Sequence, residues 1–99
     1  MGRKELIRNV KTATMEALTR EYSGNLFCEI NQIRYEYWED NYDDERSVVE
    51  LRYGRWEKDG KNNFEYTVEL YDLDGKSYDY ILGVIDTIIM VKEGMYQER

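Results

Sequence analysis

The stretch "VVELRYGRWEKDGKNNFEYTVELY", residues 48–71, decides the fold. Val49, Leu51 and Tyr53 alternate with Val48, Glu50, Arg52 and Gly54. Beyond a polar break, Phe64, Tyr66, Val68 and Leu70 alternate with Glu65, Thr67, Glu69 and Tyr71. A period of two with one apolar face marks a strand covered on one side. Between the two runs, Asp59-Gly60 fits a two-residue primed turn. Setting Lys58 opposite Lys61 then sets Tyr53 opposite Tyr66, Leu51 opposite Val68 and Val49 opposite Leu70. A slip of one residue would set apolar against charged along the whole hairpin. The expectation is an antiparallel hairpin in this register.

Towards the N-terminus, Ile33, Tyr35 and Tyr37 alternate with Arg34, Glu36 and Trp38, which predicts another strand. Leu26, Cys28 and Ile30 alternate in the opposite phase, and the phase flips at Asn31-Gln32. Either a bulge sits there or the strand begins after it. For its pairing, Tyr35 opposite Tyr53 brings Glu36 against Arg52, an attractive pair. Placing Tyr35 opposite Leu51 would set Glu36 against Glu50, so the first register is preferred. It leaves residues 39–46 as a loop.

Helices are predicted on both sides. In residues 3–22, Leu6, Val10, Ala13 and Ala17 follow a helical stripe that Ile7, Thr14 and Leu18 widen, and Gly24 is a left-handed stop. At the other end Asp74-Gly75 makes a turn, and Ser77 or Asp79 can cap a helix. Ile81, Leu82, Ile85, Ile88, Ile89 and Lys92 then form its stripe, with Gly94 as the stop. Its β-branched content leaves a short fourth strand at 76–81 as the alternative. The fold class is therefore α+β, a two-layer sandwich of helix, three-stranded antiparallel sheet and helix. With one apolar sheet face, both helices lie on it. Residues 1–99 are expected to be one domain, having no proline and no low-complexity linker.

The charged fraction is 35% and the net charge is −7. Residues 1–28 hold five basic and three acidic side chains, whereas residues 29–74 hold six basic and fourteen acidic. Such a middle repels phosphate backbones and attracts basic partners. The single cysteine, Cys28, rules out an internal disulfide and fits a reducing compartment. The start lacks a signal-peptide apolar run, and "TIIMV" is far too short to span a bilayer. A cytoplasmic protein with no membrane contact is expected.

Catalysis is disfavoured. There is no histidine, the commonest general base. Cys28 lies in "NLFCEI" without a basic neighbour in sequence to activate it, and reads as a small core residue. "DNYDDE" at 40–45 and "DLDGKSYD" at 72–79 miss the calcium-loop pattern, which needs glycine at the sixth position. No metal or cofactor is expected, and both runs read as solvated turns. Helix, three strands, helix is also the order of double-stranded RNA-binding domains, but the matching last-helix start, "GKSYDY", lacks their lysines. Arg3, Lys4, Arg8 and Lys11 form a small basic patch on the first helix.

That leaves "YEYWEDNYDDER", residues 35–46, with four aromatic rings and six carboxylates. Alternate strand residues lie ~6.6–6.8 Å apart, close to the spacing of successive phosphates. Glu36, Glu39, Asp40, Asp43, Asp44 and Glu45, with Glu65 and Glu69 on the third strand, are candidates to occupy a basic groove built for nucleic acid. Tyr37, Trp38, Tyr42 and Trp56 would anchor the contact. The same charges also serve to keep an edge strand soluble. The composition resembles that of small phage-encoded inhibitors of host defence, such as anti-CRISPR and anti-restriction proteins. That likeness implies a stoichiometric inhibitor acting on a basic nucleic-acid-processing effector. The alternatives are a homodimer through the bare sheet face, burying Trp38 and Trp56, and a weak RNA binder using the first helix.

Overall fold

The structure is a computed structural model. It describes residues 2–38 and 41–97, and the side chains of these except 38, 41–44 and 93–97. The order is α1 (Arg3–Glu21), β1 (Leu26–Trp38), β2 (Asn41–Arg55), β3 (Phe64–Tyr71) and α2 (Tyr78–Gln97). The three strands form an antiparallel sheet in the order β1-β2-β3. This is the predicted α+β arrangement.

One face of the sheet meets the helices. Ile33, Val49, Leu51, Tyr53 and Leu70 pack against Leu6, Val10, Ala13, Ala17 and Leu18 of α1 and against Ile81, Ile85 and Ile89 of α2. Leu73, in the β3–α2 connection, closes the same cluster. Helix α1 also buries Thr14, whose Oγ1 donates 2.6 Å to the Val10 carbonyl. That bond satisfies the hydroxyl inside the core.

The β2–β3 register is the predicted one, with Tyr53 opposite Tyr66, Leu51 opposite Val68 and Val49 opposite Leu70. The connection differs. Pairing stops at Arg55 and Phe64, so no two-residue primed turn forms. The Gly60 amide donates to the Glu57 carbonyl, and Gly60 and Asn62 take positive φ of 70° and 58°. The Arg55 guanidinium donates to the Asn62 carbonyl, and the Glu57 amide to Asn63 Oδ1. The two asparagines and Arg55 thus give the loop backbone the hydrogen bonds that a longer ladder would have supplied.

The β1–β2 register corrects the sequence expectation. Tyr35 faces Ser47 rather than Tyr53, and Tyr53 faces Cys28. A shift between Ile30 and Gln32 is the bulge anticipated as one of two alternatives. It brings Leu26, Cys28 and Ile30 onto the same face as Ile33. Apolar residues then oppose Leu51 and Tyr53 along a longer ladder, while Glu29 meets Arg52 and Glu36 meets Arg46. Core matching along the entire strand outweighs the Glu36–Arg52 pair used to choose the shorter register. The acidic run 41–46 consequently belongs to β2 and is not a loop.

Helix α2 takes residues that were open between strand and helix. Ser77 caps it, its Oγ accepting a 3.2 Å hydrogen bond from the Tyr80 amide. The preceding turn closes with the Lys76 amide on the Leu73 carbonyl and Gly75 at φ 79°. The helix runs through Gly94 to Gln97 instead of stopping at that glycine.

Candidate functional site

The face of the sheet away from the helices carries Arg34, Glu36, Arg52, Glu65, Glu69 and Tyr71, as the alternation predicts. The carboxylates of Glu36, Glu65 and Glu69 are paired. Arg34 Nε lies 2.7 Å from Glu36, and its Nη2 lies 3.1 Å from Glu69. Arg34 sits on β1 and Glu69 on β3, so the guanidinium reaches across β2. Val48 lies between the two strands there and is fully buried despite facing away from the helices. The Tyr71 hydroxyl donates to the other oxygen of Glu69. A second arginine, Arg52, pairs with Glu29 at 2.9 Å and with Glu65. Its guanidinium stands 4.9 Å from the Phe27 ring.

These contacts shift protonation as expected. Arg52, by hydrogen bonding, holds the Glu65 carboxyl below its usual range. Glu69 is lowered first by the Tyr71 hydroxyl and then by Arg34. The same bond raises Tyr71. Two arginines thus tie up Glu36, Glu65 and Glu69 in an interstrand network.

The other predicted site residues separate. Tyr37 faces Glu45 and lies on the helix side of the sheet, not with Glu36. Tyr35 and Tyr37 are 45% and 51% exposed, because helical cover ends near Ile33 and Val49. Glu45 is exposed beside them. Trp56 is 58% exposed and contributes a hydrogen bond to Glu65. Trp38, Tyr42, Asp43 and Asp44 have their backbones at the far end of the β1–β2 pair, with side chains outside the described residues. Glu39 and Asp40 lie outside the described residues altogether.

Trp56 follows the residue paired with Leu26, whereas Trp38 ends the same strand. At ~3.3 Å per residue, the two backbones are about 40 Å apart. The two tryptophans expected on the bare face therefore stand at opposite ends of β1.

What the sequence did not group is a hollow on the helix side of the projecting hairpin. It has a volume of about 510 Å³ and is lined by Tyr35, Glu45, Ser47, Asp72, Asp74 and Lys76. The Asp72 amide donates 3.0 Å to the Ser47 carbonyl and fastens the β3–α2 turn to β2. Asp72 takes a left-handed φ of 59° to do so. The run at 72–79 was considered for calcium, but its spatial neighbour Glu45 follows from the six-residue change in pairing. Elsewhere, α2 exposes Tyr80, Met90 and Val91 on its outer side. Arg3, Lys4, Arg8 and Lys11 are all exposed on α1.

Among the described residues no acidic or cysteine cluster converges closely enough to hold a metal ion, and no helix is long and apolar enough to cross a membrane. Cys28 is half-buried, its Sγ 3.7 Å from the Lys11 carbonyl, and burial raises its pKa. Comparison with protein-family models, curated proteins and solved structures finds no match to this chain.

Proposed function

We propose that this chain is an acidic protein-binding module that acts as a stoichiometric inhibitor by occupying the basic surface of a nucleic-acid-processing effector, in the manner of phage anti-defence proteins. It carries out no chemistry of its own in this reading. The sequence has no histidine, and burial raises the Cys28 pKa, away from a reactive thiolate.

The observation that carries the proposal is the hairpin end projecting past the helical cover. Tyr35 and Tyr37 stand exposed there next to Glu45, which ends the run holding Asp43 and Asp44. Tyrosines supply large contact area at small entropic cost, and carboxylates steer a basic partner. The arginine-paired open face becomes a supporting surface. A two-fold pairing of that face would have to desolvate the Arg34 and Arg52 networks, which disfavours the homodimer.

The test is inhibition of a nucleic-acid-cleaving effector at increasing ratios of this protein, at low and high salt. Inhibition should saturate at a fixed stoichiometry, weaken with salt, and disappear in the Asp40→Lys, Asp43→Lys, Asp44→Lys triple variant. Full inhibition by the triple variant would overturn the reading.

A further inference from the structure

We propose that the hollow between the projecting hairpin and the β3–α2 turn binds one organic cation on an aliphatic stem, the ammonium or guanidinium head of a lysine or arginine side chain. This rests on the acidic-module reading and names the partner chemistry at one place.

Three acidic residues line the hollow, Glu45, Asp72 and Asp74. Acid alone would say little. The second observation is Ser47 in its wall. Ser47 is 4% exposed, and its Oγ is buried without a hydrogen-bond partner among the described residues. A buried, unpartnered hydroxyl is costly, and a ligand that completes it recovers that cost. Set in the wall of the hollow, it gains a partner by turning toward a cationic head bound there. Tyr35, directly across the ladder from Ser47, offers a half-exposed ring as a bed for the stem.

The size of the ligand follows from the spacing. The carboxylates surround the hollow without converging on one point close enough for a metal ion. A bare ion would leave them unsatisfied, whereas a head with three to five N–H donors can reach several acceptors at once. Two cations are already nearby, and one of them, Lys76, is part of the lining. Arg46 holds one oxygen of Asp72 at 3.3 Å and stands 5.1 Å from the Tyr71 ring, on the far side of the sheet. Lys76 keeps its Nζ 5.3 Å from the Tyr80 ring.

The experiment is an amide-resolved NMR titration of the full chain with an end-blocked hexa-arginine peptide, repeated with spermidine. The amides of Ser47, Asp72 and Lys76 should shift saturably. The Glu45→Gln, Asp74→Asn double variant should weaken binding about tenfold, equivalent to about 1.4 kcal/mol. Ser47→Ala should weaken it by a smaller factor, and the remote Glu21→Gln should leave it unchanged. Tighter binding of the peptide assigns the hollow to a protein side chain, and equal binding of spermidine assigns it to a free polyamine. Shifts confined to residues 41–44, or binding indifferent to the double variant, would overturn the hollow while the acidic-module reading stands. A peptide that shifts no amide would overturn both.

Discussion

Gly54 is held to glycine by its neighbours, not by its torsion angle. A Cβ there would lie 2.2 Å from the Phe64 carbonyl oxygen and 3.0 Å from the Phe27 ring. Phe27 is its cross-strand partner, and the Arg52 guanidinium stands over that ring. Gly54→Ala must therefore push β2 and β3 apart or displace the ring. It should cost about 1–3 kcal/mol in chemical denaturation, the range of overpacked sites. Tyr53 presents the opposite case. Its ring is 1% exposed at the centre of the core, yet its hydroxyl has no partner among the described residues. Tyr53→Phe removes an unsatisfied group and keeps the ring, so the melting temperature should hold or rise. Burial, with Tyr66 and Tyr22 nearby, raises the Tyr53 pKa well above the ordinary phenol. The folded state then keeps a proton that the unfolded chain loses above about pH 10. Stability contributed by this group is present below that pH and falls above it. Wild type should lose stability between neutral and strongly alkaline pH more steeply than Tyr53→Phe, and matching pH profiles would contradict this.

At the scale of the elements, the sheet is joined by pairing on both faces. Apolar residues match on the helix side, and two arginines bridge carboxylates on the other. Each exposed ion pair contributes little alone, but together they favour one register. Glu65 and Glu69 are both lowered in the folded state, by Arg52 and by Tyr71 with Arg34. Their contribution is present above the unfolded carboxylate pKa, about 4.3, and is lost as pH falls through the lower folded values. Melting temperatures measured from pH 6 down to pH 2 should fall, and Arg52→Met should fall less steeply over that window. The same pairing explains what could be read from the sequence. The β2–β3 register was legible because both strands alternate without interruption, and a slip has a large cost. The β1–β2 register was not, because the bulge at Asn31 hides the continuity of Leu26, Cys28 and Ile30 with Ile33. Local charge matching of Glu36 with Arg52 then pointed to a shorter ladder. Glu36 and Tyr37 were grouped though they occupy opposite faces, and Asp74 and Glu45 were read as separate turns. No pattern in sequence reports that Asp72 folds its amide back onto Ser47.

The whole molecule measures 48 × 28 × 21 Å, and its long axis suits the length of the β1–β2 pair. Strand β2 has 15 residues and β3 only 8, with pairing between them ending at Val48 and Tyr71. Beyond that point β1 and β2 continue as a two-stranded ribbon. The core stops at Ile33, Val49 and Leu70, so the ribbon's outer part contributes little to holding the helices. A two-stranded ribbon is weakly stable alone, and its retention at this length fits use as a contact arm. Its acid also does not help folding, since like charges crowded on one ribbon repel one another. Stability and binding are therefore separable along the long axis. Replacing residues 37–45 by Asn-Gly would leave Glu36 opposite Arg46 and close the hairpin with a primed turn. The shortened chain should unfold cooperatively at a melting temperature near or above wild type. It should also bind the hexa-arginine peptide weakly and lose any inhibition of an effector. A shortened chain that fails to fold would place the ribbon in the structural core, and one that binds as wild type would move the contact surface to another part of the molecule.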